Sequence, residues 1–176
     1  MRELWLGHAW LVGRRPRIYD PDGLYHVTTH GIEEAPIFRD DVDRQDFCIR
    51  FRRAVDSERW EVHAACLMDT HYHFLIGPTL GRVSGGMKAL NGGYARAFNK
   101  RHGRRGALFQ SRYSDSTIRD EEHFRNAVAY IEQNPLAAGM VTELTEWIWT
   151  TATPGSPLCR TPPPRSGPAA AVRKRV

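Results

Sequence analysis

The chain has 176 residues, of which 41% are hydrophobic and 26% are charged, and its formal net charge is +5. These values are those of an ordinary soluble protein with one domain-sized core. The one apolar stretch near the start, residues 4–12, is too short to span a bilayer and lacks the basic segment and cleavage site of an export signal, so we expect a cytoplasmic protein. The 3 cysteines have no paired metal-site spacing, which favours reduced thiols.

Positive charge is concentrated in two parts of the sequence. After Glu146 every charged residue is basic: Arg160, Arg165, Arg173, Lys174 and Arg175. Acidic residues are also absent between Thr70 and Ser114, where the charged residues are Arg82, Lys88, Arg96, Lys100, Arg101, Arg104, Arg105 and Arg112. A run of charge is usually only a solvated face, but an acid-free interval of this length favours a basic surface that binds a polyanion.

The first half of the chain is interpreted as an extension followed by one helix and three strands. Residues 1–15 form the N-terminal extension, and residues 24–30, rich in aromatic and β-branched side chains, predict the first strand. Acidic residues followed by apolar residues at helical spacing predict a helix over residues 40–57. The apolar segments 60–68 and 71–76 predict two antiparallel strands that are joined by a tight turn.

The second half of the chain predicts two helices and one strand. Residues 80–102 carry an apolar stripe at helical spacing, which predicts the second helix. Glycines on both sides of a basic dipeptide predict a hairpin tip at 103–106, and residues 109–118 predict a further strand. The third helix begins at the acidic residues 119–122. It is expected to end at Asn134, because a proline disfavours α geometry in the residue before it.

Two histidines separated by one residue open the predicted strand 71–76. Side chains at alternate positions leave the same face of a strand, so the imidazoles of His71 and His73 point the same way. Such a pair can bind a divalent metal, which then needs a third protein ligand and open positions for substrate. His26 and His30 likewise share one face of the first strand, where a structural role and a substrate contact are both open.

A set of motifs occurs along the chain in a fixed order. They are Leu-Tyr-His-Val-Thr-Thr-His-Gly (24–31), Ile-Phe-Arg-Asp-Asp (37–41), Leu-Met-Asp-Thr-His-Tyr-His-Phe-Leu-Ile (67–76), Gly-Ala-Leu-Phe-Gln-Ser-Arg-Tyr (106–113) and Tyr-Ile-Glu-Gln-Asn-Pro-Leu-Ala-Ala-Gly (130–139). Together they resemble the single-tyrosine HUH transposases, most closely the REP-associated tyrosine transposase branch. The resemblance covers residues 16–149, and the Pro-rich, basic residues 150–176 are expected to be a disordered tail.

The resemblance implies both a fold and a chemistry. The fold is α+β, with a ferredoxin-like or RRM-like antiparallel sheet backed by helices, the HUH endonuclease fold. His71 and His73 would bind the metal with Asn134 as the third ligand, and Tyr130 would be the nucleophile. Members of the family cut single-stranded DNA, often beside a hairpin, and form a covalent link between the tyrosine and the 5′-phosphate.

We therefore expect a metal-dependent single-stranded DNA transposase that acts as a monomer or homodimer without a membrane partner. With two imidazoles and one amide as ligands, the expected ion is Mg²⁺ or Mn²⁺. The candidate DNA contacts are Arg96, Lys100, Arg104, Arg105, Arg112 and His30. His30 stands where the family commonly has an arginine, and Asp69-Thr70 replaces the more usual Pro-Asn or Pro-Glu before His71.

Three alternatives stay open from the sequence. Tyr94 and Tyr113 are rival nucleophiles, although only Tyr130 has a polar partner four residues later on the same helix face. Asn134 can cap its helix instead of binding a metal. The chain can also be a non-catalytic regulator that binds hairpin DNA or RNA on the same fold.

Overall fold

The computed structural model describes residues 17–78, 80 and 82–158. The elements, in chain order, are β1 (Tyr25–His30), α1 (Asp41–Glu58), β2 (Trp60–Leu67), β3 (His71–Pro78), α2 (Val83–Arg101), β4 (Ser114–Thr117) and α3 (Glu121–Ala137). Short 3₁₀ turns lie at Ile32–Glu34 and Leu144–Glu146. The predicted order of strands and helices is confirmed, while the predicted extension 1–15 lies outside the described residues. Among the described helices, none is long and apolar enough to cross a membrane.

The strands form one sheet of 4 strands in the order β2-β3-β1-β4. Every neighbouring pair is antiparallel, and β1 and β3 lie at the centre. The register pairs His30 with His71 and Thr28 with His73. The predicted α+β class, with an antiparallel ferredoxin-like sheet and helices packed on it, is confirmed.

Alternation along the central strands divides the sheet into two faces. On one face Tyr72 and Phe74 of β3 pack with large apolar side chains of α1 and α2. On the other face Leu75 packs with the apolar side of α3. Because successive side chains point to opposite faces, His71 and His73 lie on the face that is covered by α3.

The predicted helix starts are confirmed by side-chain caps. Asp40 accepts a hydrogen bond from the backbone N–H of Asp43 at 3.1 Å and begins α1. Asp120 accepts from the N–H of His123 at 2.8 Å and begins α3. Each carboxylate satisfies a backbone donor that has no partner within its helix. The apolar stripe of α2 is buried as predicted, and its members are Val83, Met87, Leu90, Tyr94 and Phe98.

The predicted end of α3 at Asn134 is wrong, because the helix continues through Pro135 to Ala137. A proline so close to the helix end removes only one backbone hydrogen bond. The turn is closed beyond it, where the N–H of Ala138 donates to the Asn134 carbonyl at 2.9 Å. Asn134 therefore lies inside the helix, and the alternative that it caps the helix is also wrong.

The last predicted strand is much shorter than residues 109–118, since β4 contains only Ser114–Thr117. Tyr113 precedes the strand, and its buried hydroxyl forms hydrogen bonds with the hydroxyl groups of Tyr19 at 2.8 Å and Ser84 at 2.9 Å. The backbone of the preceding loop is paired with the end of β1 by a bridge between Phe109 and Gly31. Specific polar contacts, which a strand pattern does not reveal, hold this segment.

Residues 150–158 are packed on the domain, although the sequence predicted disorder from residue 150. Leu67 donates its N–H to the Trp149 carbonyl at 2.9 Å, and Thr151 donates its N–H to Ala65 at 2.9 Å. The segment thus pairs with the outer edge of β2, which would otherwise have unpaired backbone groups. Composition predicted disorder because it contains no information about backbone pairing with the edge of β2. The rest of the predicted tail, from residue 159, lies outside the described residues.

Candidate functional site

The two histidines of β3 lie side by side on the sheet face covered by α3. Their ring centroids are 5.0 Å apart and the rings are nearly perpendicular, at 87°. The residue His73 is only 4% exposed, whereas His71 is partly exposed. The central strand therefore holds both imidazoles on one face, as the sequence predicts.

The ring of His73 has one nitrogen with a partner and one without. Its Nδ1 lies 3.0 Å from Nε2 of His26 on β1, so the two rings share a hydrogen bond. Its Nε2 is buried and has no hydrogen-bond partner among the described residues. Buried polar atoms are nearly always paired, and a metal-bound imidazole commonly uses its other nitrogen for an orienting hydrogen bond. The environment of His73 therefore fits a metal ligand.

The ring of His71 has a similar arrangement. Its Nδ1 lies 3.0 Å from the hydroxyl of Thr70, the residue before it in the chain. This contact fixes the orientation of the ring and leaves Nε2 for another ligand. Thr70, which departs from the usual family sequence, thus has a defined role beside the histidine pair.

Tyr130 approaches the same group from α3. Its ring centroid lies 5.5 Å from that of His73 and 6.0 Å from that of His26. Tyr130 is 56% exposed, whereas the rival tyrosines Tyr94 and Tyr113 are 1% and 6% exposed. Both rivals also use their hydroxyl groups in hydrogen bonds within the core. Among these three tyrosines, only Tyr130 is open to a phosphate that arrives from solvent.

Asn134 lies one helical turn after Tyr130 and is 9% exposed. It belongs to the buried side of α3 together with Ala127 and Ile131. Ile131 packs against the apolar residues of the histidine face, so this side of the helix is turned toward the sheet. Asn134 is thus carried on the helix side that faces the strands of the histidine pair.

A second group of ligand atoms overlaps the first at His71. One ligand atom from each of His30, Glu34 and His71 lies within 4.8 Å of the others, a grouping compatible with a divalent metal. The rings of His30 and His71 are stacked with centroids 4.7 Å apart. The carboxylate of Glu34 lies 3.5 Å from Nδ1 of His30 and accepts a hydrogen bond from Thr70 at 3.4 Å. His30, a candidate DNA contact from the sequence, therefore lies in one cluster with His26, Glu34, His71 and His73, which is named the histidine group.

Burial favours the uncharged form of three histidines on this face, His26, His71 and His73. Desolvation, reinforced by the nearby imidazoles of His26, His71 and His30, lowers the pKa of His73 to about 3. Desolvation also lowers the pKa of His26 and of His71. Cys66 of β2 is paired with His73 of β3 in the sheet register. Burial raises the pKa of the Cys66 thiol to about 12. The face thus offers neutral nitrogen ligands and no thiolate, a set compatible with a divalent metal.

The predicted basic contacts belong to α2 and the loop that follows it, and α2 packs on the face of the sheet opposite His71 and His73. Four of them are exposed on α2 or the loop that follows it: Arg96, Lys100, Arg105 and Arg112. Arg104 is half-buried, with its guanidinium 5.6 Å from the ring centroid of Phe98. Arg101 forms ion pairs with Asp40 and Asp43 of α1. Acids that are distant in sequence therefore neutralise part of the positive charge that the acid-free interval predicted.

Two members of the group could not be assigned from the sequence. For His26 a structural role and a substrate contact were open, and the structure instead shows a hydrogen bond to His73. Glu34 had no predicted role. It follows β1 in a 3₁₀ turn with φ of 55°, a left-handed conformation that its residue type does not favour. In the sequence, the only indication of these contacts was the even spacing of His26 and His30, which places both on one face of the first strand.

Comparisons with known proteins identify a sequence family and a solved structure of similar fold. Residues 21–134 match a family described as "Transposase IS200 like". A REP-associated tyrosine transposase, solved bound to a REP hairpin, is 17% identical, with a TM-score of 0.64 over 88% of this chain and 92% of that one. A putative transposase from Deinococcus radiodurans R1 is 22% identical, with a TM-score of 0.46 over 69% of this chain and 95% of that one. No curated protein matches the sequence significantly.

Proposed function

The chain belongs to the IS200-like transposase family, and from this premise we propose that it cleaves and rejoins single-stranded DNA through a covalent bond to Tyr130. His71, His73 and Asn134 would hold the divalent ion, Mg²⁺ or Mn²⁺, within a catalytic domain over residues 16–149, onto which residues 150–158 pack. The substrate class is hairpin-bearing DNA, a choice supported by the similar transposase that was solved with a REP hairpin.

The position of Tyr130 carries this proposal. Its half-exposed ring lies 5.5 Å from a histidine whose Nε2 is buried without a described partner. A nucleophile has to reach a phosphate from solvent, whereas a metal-binding imidazole is held still by its surroundings. Tyr130 is accessible from solvent and His73 is held in place, and both lie on the same face of the sheet.

The reaction exchanges one phosphodiester for another. The Tyr130 oxygen forms a bond to phosphorus and gives up its proton, while the bond to the 3′-oxygen breaks and that oxygen leaves as a hydroxyl after it takes up a proton. When bound, the divalent ion polarises a phosphate oxygen and offsets the charge that develops there. Because the phosphotyrosine keeps the bond energy, a second 3′-hydroxyl can reverse the step and join a new strand.

His26 serves this reaction as a positioning residue. A neutral imidazole carries one proton, and Nδ1 of His73 lies 3.0 Å from Nε2 of His26. In the tautomer in which His73 donates from Nδ1, its lone pair is on the buried Nε2. Ile131, which is fully buried, anchors α3 against the same face. Together these contacts limit the movement of His73 and Tyr130 relative to each other.

The two overlapping ligand sets predict different effects on Mn²⁺ affinity. With His71, His73 and Asn134 as ligands, His73→Ala weakens Mn²⁺ binding strongly and Glu34→Gln leaves it nearly unchanged. Electron paramagnetic resonance of free and bound Mn²⁺ measures both. The opposite pattern would assign the ion to His30, Glu34 and His71 and would overturn our ligand assignment.

The covalent step is tested with a labelled single-stranded hairpin oligonucleotide and Mn²⁺. We expect a protein–DNA adduct that resists denaturation, formed by the wild-type protein and absent from Tyr130→Phe. If the wild-type protein binds hairpins of varied sequence but never forms an adduct, the proposal fails in favour of a non-catalytic regulator that binds hairpin DNA or RNA.

A further inference from the structure

A cavity lies between α2 and the loop that precedes β4. Its volume is about 460 Å³, within the range of pockets that hold small organic groups. Much of its wall is apolar or aromatic and includes Met87, Ala95, Leu108, Phe109 and Tyr113. No residue of the histidine group lines it, so the cavity is separate from the site described above.

The uncharged polar side chains of the wall have hydrogen-bond partners. Asn91 accepts a hydrogen bond from the Tyr72 hydroxyl at 2.6 Å. The hydroxyl groups of Tyr113 and Ser84 lie 2.9 Å apart and share another. The hydroxyl of Ser111 donates to a backbone carbonyl at 2.7 Å. An occupant would therefore be held by apolar contact and ring stacking, and these hydrogen-bonding groups would not select it.

Two cations line the cavity as well. Lys88 and Arg112 are exposed and contribute to its wall. Neither forms an ion pair with any residue in the described part of the chain, and the described residues around the cavity include no acid. The charge therefore complements an anion at the mouth of an otherwise apolar space.

The wall of the cavity is attached to the end of β1 that carries His30. The Ile32 N–H donates to the Leu108 carbonyl at 3.1 Å, and the Gln110 N–H donates to the His30 carbonyl at 3.0 Å. His30 stacks on His71 at this end of the strand. The cavity and the histidine group are therefore fixed to the same end of the central strands.

We propose that this cavity binds one unpaired base of the DNA substrate, with Lys88 and Arg112 in contact with the adjacent phosphates. Aromatic surfaces flanked by cations are how proteins bind single strands without reading their sequence. The inference rests on the proposed function and adds a subsite to it. Because the uncharged polar groups of the wall have partners, the subsite accepts a base of any identity and positions the strand.

Gly92 and Gly85 provide a matched pair of variants. Both are glycines of α2, but Gly92 lines the cavity and Gly85 does not. A Cβ atom at Gly92 would meet only the Arg96 side chain, at an ordinary 3.5 Å, and a Cβ at Gly85 would meet nothing within 4 Å. Leucine is a better helix former than glycine, so neither Gly92→Leu nor Gly85→Leu should lower the unfolding midpoint. Only Gly92→Leu should fill the cavity.

The experiment measures binding of a labelled hairpin oligonucleotide with unpaired flanks by fluorescence anisotropy, in EDTA so that no cleavage occurs. A set of these oligonucleotides replaces each unpaired base in turn by an abasic site. For the wild-type protein and Gly85→Leu we expect one abasic position to weaken binding by about tenfold. For Gly92→Leu we expect intact DNA to bind about tenfold more weakly and that position to have no further effect.

Two results would overturn the inference. One is an unchanged affinity of Gly92→Leu with the same abasic profile as the wild-type protein. The other is an unchanged DNA affinity together with an altered molar mass in solution, which would assign the cavity to a second copy of the chain. Adduct formation through Tyr130 is measured separately, so the subsite can stand when the covalent step fails, and the reverse also holds.

Discussion

Tyr72 and Phe74 point from β3 toward α1 and α2, whereas His71 and His73 point from the same strand toward α3. On the first face the two rings from β3 are fully buried, and Phe74 stacks on Phe51 with centroids 4.2 Å apart. On the second face the histidine rings lie beside a tyrosine that is 56% exposed. One strand thus contributes alternately to the core and to the candidate site.

This difference shows how a small domain separates stability from chemistry. The period of two along a strand assigns neighbouring residues to different surroundings, so a change at one position need not disturb the next. Apolar burial dominates the free energy of folding, and it is concentrated on the face of α1 and α2. The face of α3 can then hold polar groups with incomplete hydrogen bonding.

A matched pair of Tyr→Phe substitutions gives the largest contrast between the faces. Tyr130→Phe removes the proposed nucleophile, so the adduct should fall below detection while the free energy of unfolding changes by less than about 0.5 kcal/mol. Tyr72→Phe removes the hydrogen bond to Asn91, so stability should fall by about 1 kcal/mol while the adduct is retained. Urea unfolding and adduct gels measure both. Adduct formation by Tyr130→Phe would contradict the division.

Truncation of Phe74 tests the packed face directly. Phe74 is fully buried between α1 and the sheet, so Phe74→Ala should lower the free energy of unfolding by about 3–5 kcal/mol. The fraction that stays folded at low temperature should still form the adduct, because the opposite face is intact. A lower adduct yield per folded molecule than in the wild-type protein would show that the two faces are coupled.

The element order and the histidine pair were predictable because they depend on local patterns. Residue alternation predicted that His71 and His73 share a face, and the acidic caps predicted where α1 and α3 begin. The site partners were harder, because His26 meets His73 only through the pairing of β1 with β3. The proposed roles of Tyr130 and Asn134 came from the resemblance to a known family, and composition alone could not have indicated them.

The failures of prediction have physical causes that act across the sequence. Residues 150–158 look disordered by composition, but their backbone pairs with the edge of β2. The positive charge of Arg101 is neutralised by acids of α1, about sixty positions earlier in the chain. In both cases the incorrect prediction involves a contact with residues that are distant in the sequence, which local patterns do not reveal.

The contact between His26 and His73 predicts a moderate effect on metal binding. His26→Ala should weaken Mn²⁺ binding by about 10–100-fold, because the ring of His73 loses its orienting partner. His26→Gln offers an amide oxygen that can accept the same hydrogen bond, so it should restore much of the affinity. Isothermal titration calorimetry distinguishes the two variants. If both lose affinity equally, with equal losses of stability, His26 has only a structural role.

The last prediction concerns the pH dependence that the buried imidazoles give to stability. The pKa of His73 is lowered from an ordinary 6.5 to about 3, so between these values the unfolded chain binds a proton that the folded chain excludes. Stability should therefore fall as the pH is lowered from about 6.5 toward 3, by about 1.4 kcal/mol per pH unit for this one group.

His73→Gln removes the group, and its unfolding free energy in EDTA should have a shallower slope in that window. The packed face contains no comparable group at Phe74, so Phe74→Leu should keep the full slope. Equal slopes for His73→Gln and the wild-type protein would mean that His73 already binds its proton in the folded state, and its Nε2 would then be no open ligand.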